Sequence, residues 1–281
     1  MTDHNHGAIV ITGAAGGMGI AVASALAGTG ELVLADLQET ELEAAKEALY
    51  ASGVRARTVK CDVTHVVDVA RVAKLVAEMG GLRSLVHTAG VSPKMAGGRR
   101  VLEVDLVGTA HVLEALLPLA GPGSAAICIG SIAGYADVDP RIEPILDNPL
   151  APDFLDAVEA ALTQPLDGAM GYILAKRGVM RVCERLSGAW AERGGRIVSI
   201  APGLIDTEMG RLERADDELI AAMIDVTPVK RPGCEPLPGR PEDIAALAAF
   251  LCSEDASFIS GCDIRIDGGL VGNGRHLGLG G

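Results

Sequence analysis

Aromatic side chains are almost missing from this chain: one Trp, three Tyr and three Phe stand among 281 residues. So few rings leave little to stack on bases, and a formal net charge of -13 repels phosphate, so nucleic acid and anionic membrane surfaces are poor partners. No apolar run approaches the roughly 20 residues needed to span a bilayer, although 49% of the residues are hydrophobic. Met1 to Gly7 carries no basic stretch followed by an apolar one, so nothing there resembles a secretory signal. Cysteine is sparse and scattered. Cys61, Cys128, Cys183, Cys234, Cys252 and Cys262 form no C-x-x-C pair, and several lie inside apolar runs. That pattern predicts reduced, mostly buried thiols in a cytoplasmic protein and offers no ligand spacing for zinc. His4 and His6 read as part of a solvated start rather than a metal site.

What is present is alternation. Short β-branched runs at Ala8 to Thr12, Leu32 to Asp36, Arg57 to Val63, Ser84 to His87, Ala125 to Ile129, Arg196 to Ile200 and Cys262 to Ile266 predict seven strands. Between them, Gly17 to Ala27, Glu39 to Ala51, Val66 to Glu78, Arg100 to Leu117, Gly171 to Glu192 and Pro241 to Cys252 carry apolar residues at helical spacing. Parallel strands require crossovers, so this order predicts one α/β domain over residues 1–281, a Rossmann-type, doubly wound parallel sheet with helices on both faces. Two stretches interrupt it. Residues 135–167, rich in Pro and acid around one amphipathic segment from Asp153 to Leu162, read as an insertion. Residues 204–240, with Leu212, Leu219, Ile220, Met223 and Ile224 at helical spacing, read as a lid, since both are long for plain connections. The Gly-rich end, Gly272 to Gly281, reads as an arm or flexible tail.

Directly after the first strand comes Thr12-Gly13-Ala14-Ala15-Gly16-Gly17-Met18-Gly19, opening a helix. In that context a tight turn at Gly13, an open backbone at Gly16, Gly17 and Met18, and close helix packing at Gly19 aim amide N–H groups at a dinucleotide pyrophosphate. The second strand ends in Asp36, the acid expected to meet the adenosine ribose hydroxyls. A 2'-phosphate would be repelled there, and neither Gly16 nor the adjoining Leu37 supplies an offsetting cation, so NAD is the expected cofactor.

These motifs resemble the short-chain dehydrogenase/reductase family, in its classical branch, over almost the whole chain. Thr12 to Gly19 meets the family's Gly-rich turn. Asp62-Val63 matches the pair that faces adenine, and Thr88-Ala89-Gly90 matches Asn-Ala-Gly with its first residue changed. Ser131 matches the catalytic serine, and Tyr172-Ile-Leu-Ala-Lys176 matches Tyr-x-x-x-Lys. Four residues apart, Tyr172 and Lys176 share a helix face. A cation there favours the phenolate, and bringing a phenol from about 10 to about 7 takes roughly 4 kcal/mol. The resemblance implies that Tyr172 exchanges a proton with the substrate oxygen while hydride passes between the carbinol carbon and the nicotinamide. Ser131 then holds that oxygen, and Lys176 also holds the nicotinamide ribose. Tyr135 is the competing phenol, but Asp139 four residues on would raise its pKa. The family's further catalytic Asn is replaced by Asp105, which can accept from a relay water, pair with Lys176 and blunt its effect, or serve only helix packing. Pro202-Gly203-Leu-Ile205-Asp-Thr207 matches the segment that binds the carboxamide, through the Ile205 backbone and the Thr207 hydroxyl. Ile266-Asp267-Gly268-Gly269 matches the family's last strand.

Ser131 and Tyr172 lie farther apart in sequence than is usual for the family, which marks the insertion. With Ala189-Trp190-Ala191 it is similar to bacterial 3α-hydroxysteroid dehydrogenase/carbonyl reductases. Apolar Ile142, Ile145, Leu146, Leu150, Phe154 and Leu155 suggest a hydrophobic secondary alcohol or ketone, steroid-like or smaller; equally, they can bury the insertion against its own domain. A homodimer or homotetramer is expected, with the insertion able to block the usual helix-bundle contact. The alternatives are a non-catalytic NAD-sensing regulator and an NADP-dependent carbonyl reductase.

Overall fold

The computed structural model describes residues 7–214, 217–231 and 237–277; Cys234, His4 and His6 lie outside them. Seven strands form one parallel sheet: β1 (Ala8–Thr12), β2 (Glu31–Asp36), β3 (Ala56–Lys60), β4 (Leu82–His87), β5 (Ala120–Ile129), β6 (Arg196–Pro202) and β7 (Asp263–Ile266), in the order β3-β2-β1-β4-β5-β6-β7. Both faces are covered, which is why the central strands read as nearly continuous apolar runs. Alternate residues go to opposite sides. Ala8, Val10, Val33 and Ala35 join one core with Val69, Leu113 and Leu174, whereas Ile9, Ile11, Leu32 and Leu34 join the other with Val22, Leu42 and Ile244.

The first core is roofed by α3 (Val66–Glu78), by α4 (Gly98–Leu102) and α5 (Gly108–Leu116), and by α8 (Gly168–Glu192); the second by α1 (Gly17–Ala25), α2 (Glu39–Ala51) and α11 (Pro241–Cys252). Several expected boundaries shift. The third strand stops at Lys60; the Cys61 amide still reaches the Asp36 carbonyl at 2.8 Å, and the Asp62 amide then turns to the Asp68 carboxylate at 3.0 Å. The predicted helix from Arg100 to Leu117 begins at Gly98 and contains a π-helical turn, Glu103–Val107, between α4 and α5. The expected tail is in part a helix, α12 (Leu270–His276), held by the Asn273 side-chain amide donating to the Val226 carbonyl at 2.8 Å.

The insertion holds α6 (Glu143–Leu146) and α7 (Phe154–Ala161). Ile142, Leu146 and Phe154 are buried in the first core, so these apolar residues hold the insertion on its own domain. Ion pairs add to this: Glu143 meets Arg177 and Arg181, and Asp147 meets Arg181 at 2.7 Å, on one face of α8. The segment after β6 carries α9 (Glu208–Arg214) and α10 (Glu218–Val226), neither of which has a buried residue. Its expected apolar stripe is therefore split over two helices, with Leu212 and Leu219 exposed. No helix among the described residues is long and apolar enough to cross a membrane. Cys61, Cys128 and Cys183 are buried free thiols, and Cys252 and Cys262 are partly buried free thiols.

Candidate active site

Strand order reverses between β1 and β4, and there the segments after both strands meet. Gly13 takes a left-handed conformation, φ +66°, and a Cβ on it would stand 2.6 Å from the Ala89 amide. Only glycine combines that backbone with so close an approach. Thr88 donates from its hydroxyl to the Thr12 carbonyl at 2.8 Å, so the departure from Asn preserves the link between the two strands. At Gly19 a Cβ would lie 2.2 Å from the Gly13 carbonyl, which seats α1 tightly on the turn. The N-terminus of α1 at Gly16 has no side-chain cap, so the amides of Gly17 and Met18 remain available to an anion.

Asp36 closes the same loop. Its carboxylate accepts from the Ala15 amide at 3.0 Å and the Gln38 amide at 3.1 Å. Leu37 beside it is exposed, and Lys60 on the neighbouring strand turns to Glu39 at 3.5 Å. Asp62 accepts from both the amide and the hydroxyl of Thr64, followed by the buried Val63. Opposite, Gly17 faces Thr207, whose Cγ2 would be 3.1 Å from an added Cβ, and the Thr207 hydroxyl accepts from the Gly210 amide at 3.0 Å. Gly203 abuts Asp267, and Ile205 bridges to Gly239. A glycine cradle, uncapped amides and a carboxylate at the second strand's end together suit a dinucleotide.

Ser131 follows β5 and caps a single 3-10 turn, Ile132–Tyr135, its hydroxyl accepting from the Ala133 amide at 3.1 Å. Across from it on α8 stands the Tyr172 phenol, near enough to the Ser131 side chain for the serine to favour the phenolate. The Lys176 ammonium lies 5.3 Å from the centre of the Tyr172 ring and donates to the Ile129 carbonyl at 3.3 Å. Helix α8 comes this close to α4 because glycines meet: a Cβ on Gly171 would strike Gly98 Cα at 2.4 Å.

That crossing brings the π-helical turn over Lys176. Asp105 Oδ2 lies 2.9 Å from the Lys176 ammonium, with both side chains buried, and Oδ1 accepts from the Val91 amide at 2.8 Å. Asp105 thus pairs with Lys176 and joins the segment after β4 to the lysine. Burial disfavours the Lys176 charge, yet Asp105 and Tyr172 outweigh it and raise its pKa; burial likewise raises that of Asp105. Burial also raises Tyr172, against the lowering by Lys176, with Glu213 and Asp105 adding to the rise. The expected help from Lys176 is real, but it does not win alone. His87, behind the lysine, is pushed down to about 3 by burial and by Lys176 and remains neutral.

Tyr135 behaves as expected for a different reason. Its phenol donates to Asp263 at 2.7 Å, and its pKa is pushed up to about 12, chiefly by burial and then by Asp263; Asp139 is instead bound to Arg141. Glu213, on α9, is a residue that the motifs do not point to. Its placement depends on how the lid folds over α8.

Residues 7–140 match the family model described as short chain dehydrogenase, and residues 157–271 match one described as Enoyl-(Acyl carrier protein) reductase, so the break falls inside the insertion. The chain is 34% identical to a cis-4-hydroxycyclohexanecarboxylate dehydrogenase of Sinomonas cyclohexanicum over 274 residues, spanning 93% of this chain and 95% of that protein. It is 27% identical to a 3beta-hydroxysteroid dehydrogenase 1 of Eggerthella lenta, over 94% of this chain and 93% of that one. A short-chain type dehydrogenase/reductase structure from Mycobacterium ulcerans superposes with a TM-score of 0.75 at 26% identity, covering 95% of this chain and 90% of that one. With these relatives matching nearly end to end on the same seven-stranded sheet, the chain belongs to the short-chain dehydrogenase/reductase family and is an oxidoreductase acting on alcohol or ketone groups.

Proposed function

We propose that the protein is an NAD-dependent dehydrogenase of ring-borne secondary alcohols, with Tyr172 as the acid/base group. The observation that carries this reading is the cluster of Ser131, Tyr172 and Lys176 at the carboxyl ends of the strands, with the lysine ammonium beside the phenol. A bound nicotinamide dinucleotide supplies the hydride acceptor and, when oxidised, a positive ring that favours the phenolate. Ser131 donates to the substrate oxygen, and Tyr172 takes the alcohol proton in oxidation and returns it in reduction. Lys176 holds the phenolate charge and binds the nicotinamide ribose. Gly13, Gly16, Gly17, Met18 and Gly19 hold the pyrophosphate, Asp36 and Leu37 the adenosine ribose, and Asp62 and Val63 the adenine. Ala89, Gly90, Pro202, Gly203, Ile205 and Thr207 line the nicotinamide side.

The names of the two relatives given above support a cyclic secondary alcohol. The insertion does not extend that support to a steroid, since Ile142, Leu146 and Phe154 are spent on its own core. It covers the Arg177 and Arg181 face of α8, so a homodimer or homotetramer would be built through another surface. Mixing NAD with a panel of cyclic and aliphatic secondary alcohols, and following reduced-cofactor absorbance, tests the activity. Retained NAD binding without reduction by any alcohol would favour the sensor instead.

Asp36 is the cofactor selector in this reading. Asp36→Ala should narrow the preference for NAD over NADP in kcat/KM by about 100-fold, because a like charge facing a phosphate costs several kcal/mol and each ~1.4 kcal/mol is tenfold. An unchanged ratio would remove Asp36 from that role.

Asp105 acts as a positioning residue through Lys176. Its negative charge raises the Tyr172 pKa; neutralising it in Asp105→Asn should therefore lower that pKa. Oxidation needs the phenolate, so the rising limb of the pH profile should move toward acid by about one unit. A shift toward base would mean that the chief effect of Asp105 is to keep Lys176 charged.

A further inference from the structure

The Ser131 oxygen already accepts from the Ala133 amide at 3.1 Å, so what the hydroxyl has to offer a substrate is its one proton. Where that proton points is set by the turn behind it. Ile132–Tyr135 is a single 3-10 turn, closed by the Gly134 amide on the Ser131 carbonyl at 3.0 Å and the Ala136 amide on the Ala133 carbonyl at 3.1 Å. The hydrogen bonds of one turn do not offset the entropy of fixing it, and two side chains grip this one from outside. Arg177, the residue after Lys176 on α8, donates from Nη1 to the Gly134 carbonyl at 3.2 Å. Its Nε donates to Glu143 of the insertion at 3.0 Å, so the guanidinium bridges the insertion and the turn. On the other side Tyr135 donates to Asp263 of β7 at 2.7 Å, and Ser199 of β6 donates to the same carboxylate. Gly134 itself lies so close to α8 that an added Cβ would stand 3.0 Å from the Lys176 carbonyl carbon.

We infer that Arg177 and Tyr135 are positioning residues that act through this turn to aim the Ser131 hydroxyl, and that the insertion serves the site by holding Arg177 through Glu143. This rests on the reading above, in which Ser131 donates to the substrate oxygen. The insertion then reaches the chemistry without lining a substrate site. Its apolar residues seat it on its own core, and its carboxylate steadies an arginine that ends on the turn of the serine. Misplacing a reacting group by about 1 Å can cost on the order of 100-fold in rate, so releasing one of two grips should cost about tenfold.

The test places Arg177→Met, Glu143→Ala and Tyr135→Phe in the wild type and in Ser131→Ala. The readouts are kcat and KM for cyclohexanol, cyclohexane-1,2-diol and butan-2-ol, NAD affinity, and urea unfolding. Arg177→Met leaves Glu143 with Arg181 at 2.9 Å, and Tyr135→Phe leaves Asp263 with Ser199, so neither strands a carboxylate. Each of these two should lower kcat by about tenfold while NAD affinity changes by no more than about twofold, and Glu143→Ala should lower kcat by a smaller factor. In Ser131→Ala no hydroxyl is left to aim, so the same three substitutions should cost no more than about twofold. Equal losses in the two backgrounds would mean a merely structural role and overturn the assignment, as would an unchanged kcat in Arg177→Met and Tyr135→Phe; the dehydrogenase reading would survive either result. An unchanged Glu143→Ala beside an impaired Arg177→Met would overturn the part given to the insertion. Wild-type kcat in Ser131→Ala, or oxidation of none of the three alcohols by the wild type, would overturn both the assignment and the reading beneath it.

Discussion

Tyr172→Phe should cut turnover by roughly a hundred- to ten-thousand-fold, the range supplied by a positioned acid/base group, while NAD affinity changes by no more than about twofold. The substitution removes one oxygen and little volume, so the partly buried ring keeps its place on α8 beside Lys176. What disappears is the oxygen that faces Ser131 and would exchange the proton. Because burial holds the phenol above its ordinary pKa despite Lys176, the rate of the unaltered enzyme should climb with pH in the oxidative direction. That slope should vanish in Tyr172→Phe. The checks are reduced-cofactor absorbance across pH and cofactor fluorescence for binding. Near-normal turnover in the variant would end the assignment of Tyr172.

Lys176→Met should have the largest effect on stability, about 3–5 kcal/mol, because it leaves the Asp105 carboxylate buried opposite an apolar chain with only the Val91 amide as donor. Turnover should fall as well. In the variant Asp105 can escape by binding a proton, so its folded pKa stands above its unfolded one. The folded state then holds more protons, and the deficit should grow as pH rises and shrink toward acid. Adding Asp105→Asn to Lys176→Met should recover much of the stability and none of the rate. Urea unfolding of the single and double variants at several pH values separates the two roles of the lysine. Additive losses in the double variant would show that the two groups do not act as a pair.

Much of the nucleotide side of the site can be read without coordinates. Gly13 and Gly19 follow a strand and open a helix, and local geometry alone decides what such a turn can do. Tyr172 and Lys176 are one helical turn apart, so their shared face follows from the period of the helix. The insertion was legible as a break in the alternation, but not which way its apolar residues face. Ile142, Leu146 and Phe154 serve its own core. Asp105 was recognisable as a departure from the family, but not as a partner of Lys176. Seventy-one positions separate them, and their contact depends on a π-helical turn and on glycines meeting where α8 crosses α4. Asp263 beside Tyr135 and Glu213 near Tyr172 are of the same kind.

Periodicity and short-range spacing thus determined the parallel sheet, the order of its helices, the phosphate turn and the Tyr-Lys face, since each is a property of neighbouring residues along the chain. Which carboxylates surround the phenol and lysine, and which way the phenol's pKa moves, were decided only by tertiary packing. Burial and Coulomb interactions depend on distance through space and on the exclusion of water, and neither is written in sequence separation.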